Sequence, residues 1–349
     1  MNEARLSVPV RDFIAGGSGA ELTLRANLAA LADVQLVPRV LVDVSVCDPT
    51  ARLVGCDARL PVAVAPMAYQ KVVHPDGELG LATACARAGI PYTATMLSSM
   101  TIEEIAQAGG CLWSQLYWLR DRGLVIDMVR RAEAVGCRAL VLTVDVPLLG
   151  RRLRDLRNGF TLPDGIRAAN LARESAGQDQ PSAPGQSAVA TYTARIFDSS
   201  LKWSDVEWLA EQTNLPLILK GILDADDARR AAEIGVAGIV VSNHGGRQLD
   251  GAVPSVTALP WVIEAVAGHC AVLVDGGVRG GLDALKAVAL GATGVMLGRP
   301  ALWGLAIGGA AGAARVLELL DEEFRLAMAL TGCRDLTSVR TLRTLTGSR

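Results

Sequence analysis

A histidine and an arginine stand three residues apart directly after an apolar run. The run is Gly238–Val241, and the segment that follows, Ser242–Asp250, contains His244 and Arg247. Such a run is typical of a buried parallel strand, and the two intervening glycines allow a ligand to approach the backbone closely. A potential base beside a fixed cation suits proton removal from an anionic substrate. From these residues alone, a structural histidine beside a surface arginine is the alternative.

The elements that must position this pair alternate along the chain. Apolar runs are separated by amphipathic helical patterns, which predicts parallel strands joined by helical crossovers. Eight such runs predict a closed (β/α)8 TIM barrel, an α/β fold, with a doubly wound sheet as the alternative, although no GxGxxG follows the first run. The runs are Leu60–Ala68, Pro91–Thr95, Leu112–Tyr117, Ala139–Asp145, Leu215–Gly221, Gly238–His244, Ala271–Gly277 and Gly294–Gly298.

Polar side chains follow nearly every predicted strand. In a barrel, these strand ends meet at the face that carries active sites, so the side chains are expected to converge. Individually each signal is weak, since Asp145 could cap a turn and Lys220 could be a solvated strand end. The set comprises Gln70, Ser98, Ser99, Gln115, Tyr117, Thr143, Asp145, Arg151, Arg152, Lys220, His244 and Arg247.

The last two predicted strands end in a pattern that suits an anion. Val274–Arg279 and Leu297–Pro300 each place glycine at a strand end and arginine where a helix begins. Backbone N–H groups and the helix dipole favour a phosphate there, at the usual phosphate position of such barrels. We therefore expect a phosphate-bearing cofactor or substrate.

These motifs resemble the FMN-dependent α-hydroxy acid oxidase and dehydrogenase family from about Asp12 to the C-terminal helix. The resemblance implies FMN as cofactor and a barrel active site. It assigns the flavin to the backbone near Ala65, Pro66, Met67 and Ala68, to Ser98, Gln115, Thr143, Lys220 and Ser242, and its phosphate to Asp275, Gly277, Arg279, Gly298 and Arg299.

The same resemblance implies the catalytic roles. Arg152 and Arg247 would clamp the substrate carboxylate, and Tyr117 would hydrogen-bond the substrate hydroxyl. His244 would be the base, oriented by Asp145, and Lys220 would stabilise the reduced flavin. The proton taken by His244 could come from the α-carbon or from the hydroxyl, and the sequence leaves both open.

The chain departs from the family at Phe13, where many members carry a tyrosine. An apolar ring there, with Met100 and Leu149 as further lining, favours an aromatic substrate such as (S)-mandelate or 4-hydroxymandelate over lactate or glycolate. Family members sharing the surrounding residues serve peptide-antibiotic biosynthesis. The alternatives are a short-chain hydroxy acid oxidase and a phosphate-binding barrel without turnover.

A long polar connection follows the fourth predicted strand. Residues of about 159–202 contain a Pro/Gly-rich stretch that predicts a lid over the barrel mouth, with a tolerated surface insertion as the alternative. Family members that pass electrons to other acceptors carry a membrane-inserting run in this connection or a haem domain before the barrel, and neither is expected here. The resemblance therefore implies molecular oxygen as the acceptor, giving hydrogen peroxide.

Length alone would suggest two domains for 349 residues, but α/β barrels of this size commonly form one, so we expect a single domain over residues 1–349. The net charge of −2 favours neither nucleic acid nor an anionic membrane. Seven scattered cysteines without a CxxC pair predict reduced thiols in a cytoplasmic protein, and with three histidines predict no metal site. The apolar stretch from Ala301 to Leu320 carries Arg315 and Glu318, which favours a packed helix. A homo-oligomer, a tetramer as in relatives, is expected.

Overall fold

Eight parallel strands close into a barrel in the computed structural model, which describes residues 6–171 and 187–346. Around the barrel the strands follow the order β10-β11-β4-β5-β6-β7-β8-β9, so every barrel strand neighbours the next one in the chain. This confirms the predicted TIM barrel. The barrel strands are β4 (Val62–Val64), β5 (Tyr92–Thr95), β6 (Leu112–Leu116), β7 (Ala139–Thr143), β8 (Leu217–Ile222), β9 (Gly238–Val241), β10 (Ala271–Val274) and β11 (Gly294–Leu297).

Helices surround the barrel and also precede it. Side-chain caps such as Asp224 and Asp121 fix the N-termini of individual barrel helices. The helices are α1 (Val8–Ala15), α2 (Leu22–Asp33), α3 (Gly77–Ala88), α4 (Ile102–Ala106), α5 (Arg122–Ala134), α6 (Leu153–Arg157), α7 (Ala188–Ile196), α8 (Trp203–Glu211), α9 (Ala225–Ile234), α10 (Ser255–Val266), α11 (Gly281–Ala289), α12 (Arg299–Leu330) and α13 (Leu336–Arg340).

Two small antiparallel pairs lie outside the barrel. The first joins β2 (Ala51–Leu53) to β3 (Cys56–Ala58), and Leu53, Cys56 and Ala58 belong to the apolar cluster that fills the barrel. The second joins β1 (Val34–Leu36) to β12 (Thr344–Thr346). The chain therefore closes one barrel end with a hairpin and ties an early segment to a late one.

Helix α12 is the one helix among the described residues that is long and apolar enough to cross a membrane. Its backbone leaves helical geometry at Gly308 and Gly309, which breaks it into two parts. Its apolar residues Leu305, Leu317 and Phe324 are buried in the main hydrophobic cluster. This packing supports the predicted core helix.

The structure corrects the prediction for two cysteines. Cys56 in β3 and Cys111 just before β6 form a disulfide, with Cα atoms 6.2 Å apart. The two residues are 55 positions apart in sequence, so only the closed barrel brings them together. The other five cysteines are free, as expected.

Only part of the predicted lid can be compared with the structure, because residues 172–186 lie outside the described residues. The described part before them ends in the short 3-10 helix Ala169–Leu171. The part after them contains α7, which begins at the cap Ser187 and has Val189, Tyr192 and Ile196 buried. This end of the connection is therefore helical, and the lid itself stays a prediction.

Candidate active site

A cavity that is partly open to solvent lies at the carboxyl ends of the barrel strands. It lies where enzymes of this fold carry out chemistry. Its lining includes most of the residues predicted to act in catalysis or to contact the substrate or the cofactor: Phe13, Ala65, Pro66, Met67, Ala68, Tyr117, Leu149, Arg152, Lys220, His244, Arg247, Asp275, Gly277, Arg279, Gly298 and Arg299.

His244 occupies the first turn after β9 with a positive φ of 58°. Such a backbone is uncommon for a residue with a Cβ and requires support from its surroundings. The N–H of His244 donates to Ser242 Oγ at 3.0 Å, and the next two residues are glycines with positive φ. The strained turn directs the imidazole into the cavity beside Asp145.

Asp145 follows β7 and accepts a hydrogen bond from His244, with 3.0 Å between Nδ1 and Oδ1. Burial lowers the pKa of His244 below 6.5, although the carboxylate partly opposes this. Burial alone would raise the pKa of Asp145, but its interaction with His244, which includes their hydrogen bond, and the Lys220 charge more than offset it, so that pKa is lowered. A charged carboxylate therefore holds the Nδ1–H tautomer and leaves Nε2 able to accept a proton.

Lys220 lies at the end of β8, almost fully buried. Its Nζ contacts Asp275 Oδ2 at 2.9 Å and donates to Ser242 Oγ at 2.9 Å. Burial opposes the ammonium charge, but Asp275 and Asp145 outweigh it, so the pKa of Lys220 is raised. The cavity floor thus carries a fixed positive charge.

Two arginines from different strand ends face the same region. Arg152 Nη1 is 4.0 Å from Asp155, and Arg247 donates to the carbonyl oxygens of Phe13 and Gly16 at 2.8 Å each. Burial, followed by repulsion from Arg152 and Arg299, holds the pKa of Arg247 well below its ordinary value. The cluster therefore favours an incoming anion.

Aromatic rings form two stacked pairs in the site. Phe13 stacks on Phe160 with centroids 4.4 Å apart, and the Arg152 and Arg247 guanidinium groups lie 5.9 and 5.4 Å from the Phe13 ring. Tyr117 stacks on Phe197 at 4.6 Å. Burial raises the pKa of Tyr117 to about 12, so its hydroxyl stays protonated and can donate.

Helix α7 supplies lining residues that the sequence analysis missed. Val189, Thr193 and Phe197 line the cavity together with Leu149 and Tyr117. Buried Val189, Tyr192 and Ile196 recur at helical spacing, and this periodicity could have identified the helix. The same lining does not include Met100, whose backbone oxygen accepts a hydrogen bond from Asn170 instead.

Four of the predicted flavin-binding residues lie buried beneath the cavity rather than in its lining. Gln115 donates to Thr143 Oγ1 at 3.0 Å and accepts from Thr95 Oγ1. Ser98 Oγ accepts from the Thr95 N–H, and Ser242 binds Lys220. These side chains connect neighbouring strand ends through hydrogen bonds.

The residues present fit FMN. Asp275 Oδ1, Asp145 Oδ2 and Arg152 Nε are buried and lack hydrogen-bond partners among the described residues, which is costly unless a ligand satisfies them. Arg279 and Arg299 border the glycines 276, 277 and 298, and burial lowers the pKa of both arginines, that of Arg299 to about 10. Such a cationic, glycine-lined corner suits a phosphate.

Fold and site together define a flavin-dependent barrel oxidoreductase. The chain matches the family described as FMN-dependent dehydrogenase over residues 2–344 and belongs to that family. It is 53% identical to 4-hydroxymandelate oxidase of Amycolatopsis orientalis, covering 96% of this chain and 93% of the relative. It is 48% identical to L-lactate oxidase of a Nostoc strain, with 97% and 94% covered.

Solved structures agree with this assignment. A mandelate oxidase with (S)-4-hydroxymandelic acid superposes with a TM-score of 0.95 at 52% identity, covering 99% of this chain and 96% of that one. A mandelate oxidase variant with an FMN adduct gives 0.90 at 49% identity, with 99% and 97% covered. The protein is an FMN-dependent 2-hydroxy acid oxidase.

Proposed function

We propose that this enzyme oxidises aromatic (S)-2-hydroxy acids, such as (S)-mandelate or 4-hydroxymandelate, to the 2-keto acid. The observation that carries the proposal is the apolar wall of Tyr117, Phe197 and Val189 in the cavity that also holds the paired arginines. An aromatic ring gains about 0.5–1.5 kcal/mol from ring–ring contact beyond the apolar area that it buries. A methyl group or hydrogen, as in lactate or glycolate, leaves this wall without a partner.

The proposed roles use the side chains that line this cavity and the Asp145 carboxylate beside it. Arg152 and Arg247 bind the carboxylate as two forks, and Tyr117 donates to the substrate hydroxyl oxygen. His244 Nε2 takes a proton from the substrate, and the Asp145 carboxylate stabilises the resulting imidazolium. The positive charge of Lys220 would stabilise the negative charge of a reduced flavin ring beside it. When bound, FMN supplies a two-electron acceptor.

Molecular oxygen is the proposed final acceptor. The substrate loses two electrons and two protons as its alcohol becomes a ketone, and oxygen gains both to give hydrogen peroxide. The relatives quoted above carry the name oxidase, which supports this acceptor. One molecule of hydrogen peroxide should form for each molecule of keto acid produced.

The test is anaerobic bleaching of the yellow holoenzyme with (S)-mandelate, 4-hydroxymandelate, L-lactate and glycolate, followed by peroxide measurement in air. We expect the two aromatic acids to bleach the flavin at the lowest concentrations. Bleaching by lactate or glycolate alone would assign the protein to the short-chain oxidases, to which the Nostoc relative belongs. No bleaching by any acid would favour a ligand-binding barrel.

A variant at Phe197 tests the aromatic wall directly. Phe197→Leu should raise the KM for (S)-mandelate about 2- to 10-fold, because one stacking partner of Tyr117 is lost, and should leave the KM for L-lactate unchanged. Trp261→Leu, which replaces an exposed aromatic residue on α10, is the matched control. Equal effects of Phe197→Leu on both substrates would contradict the proposed wall.

We also propose that the chain forms one domain over residues 1–349 and assembles as a cytoplasmic homo-oligomer, a tetramer as in its relatives. Exposed Val40, Leu41 and Val46, on the segment between β1 and β2, support self-association. Light scattering of the purified holoenzyme tests the assembly, and a monomer at micromolar concentration would contradict it.

A further inference from the structure

The loop between β7 and α6 carries two of the groups proposed to act on the substrate. Asp145 stands at its start and Arg152 at its end, as the N-cap of α6. Between them, within the described residues, no backbone–backbone hydrogen bond engages positions 145–150. The loop therefore needs another source of order if its two functional ends are to keep a fixed spacing.

The Gln248 side chain supplies that order. Its Nε2 donates to the carbonyl oxygens of Asp145 and Leu148 at 2.8 Å each, and its Oε1 accepts from the Gly150 N–H at 2.9 Å. One amide thus satisfies three backbone groups spread over the whole loop. Gln248 directly follows Arg247 and lies four residues after His244, so it belongs to the opposite half of the site.

Close backbone packing reinforces this connection. A Cβ on Gly150 would lie 2.4 Å from the Arg247 carbonyl oxygen and 2.8 Å from Gln248 Cα. A Cβ on Gly221, at the end of β8, would lie 2.5 Å from Asp145 Cβ. Only glycine at position 150 lets the loop approach the β9 turn closely enough for the amide to reach all three groups.

We propose that Gln248 is a positioning residue, which sets the separation between the His244–Asp145 pair and the Arg152–Arg247 pair. The inference rests on the proposed function. The hydrogen bond from Gln248 to the Asp145 carbonyl oxygen holds the backbone that presents the Asp145 carboxylate to His244. The hydrogen bond from the Gly150 N–H to Gln248 holds the backbone that leads to Arg152. Gln248 thereby joins the two halves of the site.

The experiment uses the FMN-loaded wild type, Gln248→Met, Gly150→Ala, and Gln212→Met as the matched control. Gln248→Met keeps the length of the side chain and removes its three hydrogen bonds. Gly150→Ala displaces the loop without altering Gln248, and Gln212 is an exposed glutamine after α8. Two properties are measured: the Kd of phenylacetate, a carboxylate that cannot be oxidised, from flavin absorbance, and the pH profile of kcat/KM.

Gln248→Met and Gly150→Ala should both raise the phenylacetate Kd about 10-fold and lower kcat by at least as much, with FMN affinity unchanged. Both should move the acid limb of kcat/KM to lower pH, because a less firmly held Asp145 stabilises the His244 imidazolium less. Gln212→Met should match the wild type. A merely structural role would weaken FMN binding in step with activity and leave the acid limb in place.

The proposal fails if Gln248→Met binds phenylacetate as the wild type does, or if its acid limb does not move. Failure of the proposed function gives a different result, in which the wild type itself neither binds phenylacetate nor oxidises (S)-mandelate. In that case the acid limb, measured with whichever hydroxy acid is oxidised, still decides whether Gln248 positions Asp145.

Discussion

The proposed base, His244, is held in an unfavourable backbone conformation. His244 adopts a positive φ, and its ring is neutral at physiological pH because burial lowers its pKa below the ordinary 6.5. A neutral imidazole accepts a proton, whereas an imidazolium does not. The nearby Asp145 then becomes most important after proton transfer, when it faces a positive ring.

The acid limb of kcat/KM should therefore have its midpoint below pH 6.5. Asp145→Asn removes the charge that raises the pKa of His244, so the midpoint should move further down while kcat falls about 10²-fold. Steady-state rates between pH 4.5 and 8 measure both changes. A limb that moves up on this substitution would exclude His244 as the titrating group.

His244→Ala should leave FMN bound and slow anaerobic flavin reduction by about 10²–10⁴-fold, the usual contribution of a general base. Stopped-flow bleaching with (S)-mandelate measures it. Rapid bleaching in the variant would remove His244 from the role of base.

Arg247→Met should raise the KM for (S)-mandelate and slow flavin reduction, because the carboxylate loses one of two forks. Arg247→Lys, which keeps the charge but not the paired donors, should recover only part of the loss. Saturation curves of the holoenzyme compare the three proteins. Unchanged saturation in Arg247→Met would place the carboxylate elsewhere.

At the scale of elements, α2 supports the active-site turn from outside the barrel. Asn27 on α2 and Asn243 before the base exchange two side-chain hydrogen bonds of 2.8 and 2.7 Å. Asn27 Oδ1 also accepts from the Ser255 N–H, while Asn243 Oδ1 accepts from the Gly246 N–H. The paired amides thus fix the turn that holds His244 in its strained conformation.

Asn27→Leu should destabilise the protein by about 1–3 kcal/mol, because the buried Asn243 amide loses both hydrogen bonds to Asn27 and the Ser255 N–H loses its acceptor. The kcat should fall more than the FMN affinity, because the substitution removes hydrogen bonds from the turn that holds His244 and not from the arginines of the predicted phosphate site. Thermal unfolding and kcat of the holoenzyme give the two quantities, with the exposed Asn214→Leu as control. Equal stability of Asn27→Leu and the wild type would contradict this coupling.

The elements themselves were largely readable from the sequence, since each of the eight barrel strands overlaps an apolar run and helical patterns separate most of these runs. The strands proved shorter than those runs, because residues such as Asp145 and His244 already lie in the loops that carry the chemistry. The disulfide of Cys56 and Cys111 escaped prediction because it depends on barrel closure. Met100 was predicted as further apolar lining, yet the cavity lining does not include it, because tertiary packing rather than residue type decides which side chains reach a cavity.

At the scale of the whole molecule, the barrel mouth concentrates positive charge that the protein does not neutralise by itself. Arg152, Arg247, Arg279 and Arg299 all have lowered pKa values, for which burial is the first cause. Asp155 and the carbonyl oxygens of α1 are their main described partners. A phosphate and a carboxylate would supply the missing negative charge.

The apoprotein should consequently gain stability from anions. FMN at 100 times its Kd should add about 2.7 kcal/mol to the free energy of unfolding, and inorganic phosphate should add less. Arg279→Gln should reduce both gains, whereas Arg229→Gln, at an exposed position on α9, should not. Differential scanning fluorimetry measures the shifts in unfolding temperature. If phosphate stabilises the Arg279→Gln variant as much as the wild type, the anion site lies elsewhere.

Helix α1 and the residue that follows it supply backbone acceptors to two arginines with different proposed roles. Phe13, Ile14 and Gly16 offer their backbone oxygens to Arg247 and Arg299, the residues assigned to substrate and to cofactor. A substitution that displaces this stretch of backbone should therefore weaken recognition of the substrate and of the cofactor together.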